Sequence, residues 1–412
     1  MKISVLTLGC KVNQAESSLI EGALKSSGSK IVAITESPDV CIINTCTVTS
    51  KSDYQSRQLI RKAHRAGARV IVTGCYSELN RENVSAMEGV EAVVGNKDKL
   101  GIINNLVGHN MDIPLSFQSN ARSRLFIKVQ DGCNYSCSYC AIPKARGASR
   151  SVDPQVVIQQ VNKAVSHGYN EIVLTGIHLG TYGIDSIPKV TLSYLLKTIL
   201  KQTKIMRIRL SSLEVREIND ELLDILGDKR VCKHLHIPLQ SGDDKILKLM
   251  NRAYDSKQFS LKIKQIFNKI PEIAIGTDVI VGFPGEEEAE FQNTYKLLDS
   301  LPIPYLHIFP FSARNGTMAS QMPDNIPSVV KKDRVHALES LGSKKKTEYM
   351  LSQVNKTLDV LIEGGRNSDN MSYGTSGNYL KVHMPSNSHA CRTIINARVE
   401  GIERGRLVGT PI

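Results

Sequence analysis

Short apolar runs alternate with amphipathic stretches along the first three-quarters of the chain. Residues 3–8, 40–43, 70–72 and 92–94 are rich in Ile and Val and too short for helices, so they predict buried strands. Segments 16–25, 54–65 and 81–87 are amphipathic at helical spacing and lie between those runs. Strands alternating with helices predict a parallel sheet, because each crossover helix returns the chain to the same end. From about residue 120 the rhythm resumes with six candidate strands, at 126–130, 171–175, 207–211, 234–239, 274–281 and 305–311. Helical patterns at 154–166, 192–201, 220–226 and 258–270 fill the gaps, which predicts an α/β unit of barrel-like order with fewer strands than an eightfold barrel. The Pro-containing stretch 322–327 closes it, and a basic helical segment follows at 331–350. Strand-like runs at 358–362, 379–384 and 394–399, separated by turn residues, then predict a small antiparallel β-barrel. The expected units are 1–115, 119–346 and 347–412.

Composition narrows the class. Among 412 residues, 41% hydrophobic and 22% charged describe an ordinary globular chain, and no apolar run approaches the roughly 18–20 residues of a membrane span. The opening ten residues superficially suggest a lipoprotein signal, but they carry one basic residue and a short apolar stretch, and they read as a first strand. A formal net charge of +12 makes nucleic acid a candidate partner. Nine cysteines, an odd number without an export signal, fit a reducing cytoplasm where thiols serve metals or catalysis.

The cysteines fall in a pattern. Cys10, Cys46 and Cys75 each follow one of the first three predicted strands. Parallel strands share one carboxyl edge, so these thiols are expected to meet, although free cysteines are also common as small buried residues. Cys41, Cys232 and Cys391 are expected to pack. Cys133, Cys137 and Cys140 form a C-x3-C-x2-C loop with no fourth Cys or His in it. Soft thiolates select zinc or iron–sulfur clusters. Structural zinc wants four protein ligands, and a distant histidine keeps that reading open; a cubane on three thiolates leaves one iron free to bind a reactant.

This loop, with Tyr139 just before its last cysteine, resembles the radical S-adenosylmethionine superfamily. The resemblance extends to the methylthiotransferases through Leu8-Gly9-Cys10-Lys11-Val12-Asn13-Gln14, Asn44-Thr45-Cys46, Thr73-Gly74-Cys75, Gln130-Asp131-Gly132-Cys133, the stretch from His236 to Gly242 and that from Thr277 to Glu286. It implies an N-terminal cluster-binding domain, a partial (β/α)6 radical barrel and a C-terminal TRAM-like β-barrel. It also implies two 4Fe–4S clusters. Cys133, Cys137 and Cys140 would hold the one that chelates S-adenosylmethionine and cleaves it to a 5′-deoxyadenosyl radical. Cys10, Cys46 and Cys75 would hold an auxiliary cluster where sulfur is presented, with a second S-adenosylmethionine as methyl donor. An external electron donor is required, and the sulfur source stays open. Tyr139, Gly176, Ser211, Glu214 and Gly282 are expected near the cofactor. For His234, His236 and Gln240, a hydrogen-bond network and substrate contact are equally supported.

The positive charge gains a partner by the same resemblance. Arg57, Arg61, Lys62, Arg65 and Arg69 lie in an acid-free stretch, and Arg122, Arg124, Lys128, Lys144, Arg146 and Arg150 surround the cysteine loop against one local acid, Asp131. Phosphates of a structured RNA are expected there, with the barrel adding affinity and the target base splayed out to be reached. Lys11-Val12 resembles the threonylcarbamoyladenosine branch, where the isopentenyl branch more often has Gln-Met. The expected reaction is 2-methylthiolation of N6-threonylcarbamoyladenosine at position 37 of tRNA, in the anticodon stem-loop. The alternatives are isopentenyladenosine, a ribosomal-protein aspartate, or a non-catalytic RNA-binding metalloprotein.

Overall fold

The computed structural model describes residues 1–107, 123–364, 371–385 and 390–412. The expected 115/119 boundary and Arg122 lie outside the described residues. The first unit is a five-stranded parallel sheet of β1 (Lys2–Thr7), β2 (Lys30–Ile31), β3 (Val40–Thr45), β4 (Arg69–Gly74) and β5 (Val90–Val93), in the order β2-β1-β3-β4-β5. The edge strand β2 has only two residues, too few to show a period in sequence. Every residue of β3 is buried, as a central parallel strand requires. Its alternation feeds two cores: Val40 and Ile42 pack with Ile20 and Leu24, while Cys41 and Ile43 pack with Ile60 and Ala63 on the other face.

The six strands expected next all form. After β6 (Leu125–Lys128) the short antiparallel pair β7 (Gln130–Asp131) and β8 (Arg150–Ser151) brackets the cysteine loop. The others are β9 (Glu171–Thr175), β10 (Arg207–Leu210), β11 (His234–His236), β12 (Ala274–Val281) and β13 (Tyr305–Pro310). They run parallel as two sheets, β10-β9-β6 and β11-β12-β13, stitched where Ile208 N–H donates to Arg230 O (2.7 Å) and Cys232 N–H donates to Ile208 O (2.9 Å). The barrel is open, and the helix Lys11–Ser26 of the first unit packs along β6. An uncovered edge strand exposes unpaired backbone groups, and this helix shields that edge.

The helix Ser328–Leu351 runs from the second unit into the third, and its Met350 joins the barrel core. Strands β14 (Thr357–Gly364), β15 (Met371–Ser376), β16 (Lys381–Pro385), β17 (Ile394–Glu403) and β18 (Arg406–Pro411) close a barrel in the order β14-β15-β16-β18-β17. Its pairs are antiparallel except β16 with β18, which run parallel. The sequence pattern had shown three of the five strands; Met371–Ser376 and Arg406–Pro411 are rich in Gly, Ser, Thr and Pro and lack the apolar run. Of the three cysteines expected to pack, Cys41 and Cys232 are buried but Cys391 is exposed. It precedes a barrel strand in a polar turn, within 3.6 Å of Ser123 Oγ and of the Glu363 carbonyl, so the expectation for it is corrected.

Charge holds the barrel to the second unit. Glu171, fully buried on β9, accepts from Arg207 Nε (2.6 Å) and Arg209 Nε (2.9 Å). Arg207 also donates to Asp359 and the Thr375 carbonyl, and Arg209 donates to the Ser376 and Gly377 carbonyls of the barrel. Burial by itself would raise the Glu171 carboxyl, but Arg209, Arg207 and Arg124 hold it down at about 2. Its stabilising effect is therefore complete above its ordinary value of 4.5 and is lost as pH falls toward 2. Substituting Glu171→Ala leaves the buried Arg209 without its carboxylate and Arg207 with Asp359 alone, and thermal unfolding of the full chain should show a loss of about 3–5 kcal/mol.

Candidate active site

Strands β1, β3 and β4 place Cys10, Cys46 and Cys75 at one sheet edge, close enough for electrostatic interaction among the three. Glycines permit the approach. Gly9 has φ +97°, and a Cβ there would lie 2.8 Å from Cys46 Sγ; Gly74 has φ +105°, and a Cβ would lie 2.3 Å from the Thr45 carbonyl. Asn13 Nδ2 donates to the Leu8 (2.8 Å) and Thr45 (3.0 Å) carbonyls, while Asn44 Nδ2 donates to the Asn13 carbonyl (3.0 Å). The asparagines of the first two motifs thus clamp the strand ends that carry the thiols. Burial pushes the Cys46 thiol up to about 11, so ionisation there needs a bound metal.

The second trio lies on the loop between β7 and β8. Cys133 Sγ is 3.4 Å from His178 Nδ1 and accepts from the Tyr135 N–H (3.4 Å), and Cys137 Sγ accepts from Arg252 Nη1 (3.2 Å). Burial pushes Cys140 up to about 12. Gln130 organises the approach, donating to the Gly132 carbonyl (2.8 Å) and Ser149 Oγ (2.9 Å) while accepting from the His178 N–H (2.8 Å). Among the described residues, neither trio brings its three sulfurs within 4.8 Å of one another. Sulfurs on a single tetrahedral zinc, with bonds of about 2.3 Å, sit about 3.8 Å apart. Both trios are more open than a single zinc ion requires.

Arg146 links Cys75 of the first trio to Asp131, two residues before Cys133 of the second. Its Nε donates to Cys75 Sγ (3.2 Å), and its Nη1 donates to Glu16 Oε1 (2.9 Å) and Asp131 Oδ1 (2.8 Å). Glu16 also pairs with the buried Lys99, and Lys128 reaches both Glu16 (3.0 Å) and Asp131 (3.3 Å). For Arg146, Lys128 and Arg124 this corrects the expectation that the basic residues around the loop grip phosphate, whereas Lys144 is exposed and Arg150 half-exposed. Arg146 is fully buried, Lys128 is engaged in the same network, and Arg124 is paired with Glu363 at 2.6 Å. Their acids come from distant parts of the chain, because a buried cation must find a counter-charge. Arg61, Lys62 and Arg65 of the other run are exposed on the helix Ser50–Arg65.

A cavity of about 200 Å³ opens between the units, lined by Thr47 and Thr49 beyond Cys46 and by Tyr139, Cys140, Gln240 and Asp278 of the second unit. Tyr139 meets Phe283 edge-on, with centroids 6.5 Å apart. Ser211 Oγ accepts from the Gly176 N–H (3.3 Å), so these two meet at the ends of β9 and β10. The crowding at Gly176 comes from Gln130, whose Oε1 would lie 2.8 Å from an added Cβ. Glu214 is paired with Arg252, and the Gly282 N–H donates to Glu286 (2.7 Å). Sequence reading missed Gln130, Glu16, Lys99 and Arg252 as site residues. Of these, Gln130 alone carried a signal, its place at the head of the Gln130-Asp131-Gly132-Cys133 motif.

The open parallel barrel and the three-cysteine loop define a radical S-adenosylmethionine enzyme. Residues 127–298 match the Radical SAM superfamily, and residues 2–95 match the uncharacterized protein family UPF0004. The chain is 37% identical to the threonylcarbamoyladenosine tRNA methylthiotransferase MtaB of Bacillus subtilis, covering 95% of this chain and 92% of that one. It is 39% identical to the protein of the same name from Aquifex aeolicus, over 88% and 93% of the two chains. It is 31% identical to the tRNA-2-methylthio-N(6)-dimethylallyladenosine synthase of Thermoanaerobacter, over 95% and 89%. Among solved structures, the radical S-adenosylmethionine methyltransferase TsrM of Kitasatospora setae shares the fold with a TM-score of 0.57 at 13% identity, over 74% of this chain and 72% of that one. The chain belongs to the methylthiotransferase family of radical S-adenosylmethionine enzymes.

Proposed function

We propose that the chain installs a methylthio group at C2 of N6-threonylcarbamoyladenosine in the anticodon stem-loop of tRNA. The observation that carries this is a cavity between the units lined by Cys140 of one trio and by Thr47, next to Cys46 of the other, supported by relatives named for that activity. Cys133, Cys137 and Cys140 would hold one 4Fe–4S cluster and Cys10, Cys46 and Cys75 the other. With S-adenosylmethionine and an external electron donor, the first would supply hydrogen abstraction and the second the sulfur to be inserted. The protein's part is placement. Gln130 fixes the turn into the loop, Arg252 and His178 support Cys137 and Cys133, and Arg146 fixes the distance between the trios. Tyr139, which lines the cavity, and Gly176, Ser211, Glu214 and Gly282 are read as S-adenosylmethionine contacts. The units 1–115, 119–346 and 347–412 are read as auxiliary-cluster, radical and TRAM-like RNA-binding modules acting in the cytoplasm. Among the described residues no helix is long and apolar enough to cross a membrane.

Deleting the protein from its host should remove the 2-methylthio derivative of threonylcarbamoyladenosine from bulk tRNA and leave its precursor in place. Nucleoside mass spectrometry reads this directly. An unchanged level of the derivative would refute the assignment, and its loss on isopentenyladenosine instead would move the chain to the other branch.

A further inference from the structure

A second cavity, of about 440 Å³, lies where all three units meet. Lys11 enters it from the residue directly after Cys10; His234, His236 and His307 line it from the strands of the radical unit; Tyr379 and Lys381 close it from the barrel. Asp278 forms the partition. It accepts from His236 Nε2 at 3.0 Å and stands 3.3 Å from His307 Nδ1, and it also lines the smaller cavity beside Tyr139 and Cys140. A base reacting in the smaller cavity could therefore extend a substituent past Asp278 into the larger one.

The charge of that larger space is one-sided. Lys11, Lys346, Lys381 and Arg406 line it, and no Asp or Glu does. Lys381 is neutralised by Glu363. Lys11 forms no ion pair among the described residues, and its ammonium instead lies 5.9 Å from the centre of the Tyr379 ring. Tyr379 is itself held unusually, with φ +72°, and stacks on His234 with centroids 4.5 Å apart. Strain at a non-glycine residue persists where the surroundings over-determine it, as at a built recognition site. The His236, Asp278 and His307 ligand atoms lie within 4.8 Å of one another, a spacing that would suit a divalent cation. The lysines and arginine around them oppose a further positive charge, and the one carboxylate is already engaged. The cavity is built for an anion.

We infer that this cavity takes the threonyl carboxylate of the modified base, and that Lys11 is the residue that selects it. The inference rests on the substrate reading above. Lys11 sits at the inner end, one residue from the auxiliary cysteine trio, whereas the exposed Lys346 and Arg406 are at the rim. A backbone phosphate would meet the rim first, while only a group attached to the reacting base reaches Lys11. An ammonium meeting a carboxylate away from bulk water gives a charge-assisted hydrogen bond.

The test uses the full chain with both clusters reconstituted anaerobically and no reductant added. Binding of two anticodon stem-loop RNAs is followed by fluorescence anisotropy, one carrying threonylcarbamoyladenosine and the other its primary amide. The wild type should favour the carboxylate by about tenfold or more. Lys11→Gln should bring the ratio close to one with unchanged iron content, and Lys11→Arg should keep most of the preference. Equal weakening of both RNAs by Lys11→Gln would make Lys11 a phosphate contact and overturn the inference, as would equal binding by the wild type. A separate turnover assay on the carboxylate RNA checks the foundation: with no methylthio product there, the substrate reading falls and takes this inference with it.

Discussion

Substituting Cys46→Ala is expected to halve the iron and sulfide of the reconstituted protein, abolish methylthio product and leave 5′-deoxyadenosine formation largely intact. The division follows from how each trio is supported. Cys46 lies at the end of β3 against Gly9, and its electrostatic neighbours are Cys75 and Cys10. Cys133 and Cys137 are supported separately, by His178, Tyr135 and Arg252. Removing one buried sulfur leaves a void of less than a methylene pair and should cost only about 1 kcal/mol of stability. The loss is therefore chemical, and the fold survives to show it. Iron and sulfide counting with product chromatography measures all three quantities. Disappearance of 5′-deoxyadenosine along with the methylthio product would mean that the two sites do not work independently.

Substituting Arg146→Met should cause the largest loss of stability of any change at the site. Arg146 is a fully buried cation that binds Cys75 and Glu16 of the first unit and Asp131 of the second. Without it, Glu16 keeps Lys99 and Lys128, Asp131 keeps Lys128 and the half-exposed Arg150, and the Cys75 sulfur loses its charged donor. Breaking a buried ionic network by removing one member typically costs about 3–5 kcal/mol. The expected readouts are a lower unfolding midpoint and faster amide exchange in the helix Lys11–Ser26, which carries Glu16 and Asn13 into the interface. Substituting Arg146→Lys should recover part of this, because a lysine restores the charge but cannot fork between two carboxylates and a sulfur. A midpoint unchanged in Arg146→Met would show that the network adds no cohesion between the units.

Much of this site was legible along the chain, for a local reason. The recurrence of Cys10, Cys46 and Cys75 after successive apolar runs told where they would meet, since parallel strands end at one edge. The six strands of the radical unit were visible because each carries at least one of Ile, Val or Leu in a short run bounded by turn or helix signals, even where Arg or His interrupts it, as in Arg207–Leu210 and His234–His236. In the barrel, Met371–Ser376 and Arg406–Pro411 were hidden because strands built largely of Gly, Ser and Thr have no long apolar run to read.

Charge was the quantity that local reading mistook. Around the cysteine loop the sequence shows many cations and one acid, which looks like a phosphate-binding face. The folded chain brings Glu16, Glu171 and Glu363 from far away to Arg124, Lys128 and Arg146 and turns that part of the apparent RNA face into an internal seam. Residue spacing by itself determined the element types, the two thiol trios and the resemblance they carry. Tertiary packing alone decided which cations form no ion pair among the described residues, Lys11 among them. The reason is physical: hydrophobic period and strand order act over a few residues, whereas the partner of a buried charge is chosen by whichever surfaces are pressed together when the units dock.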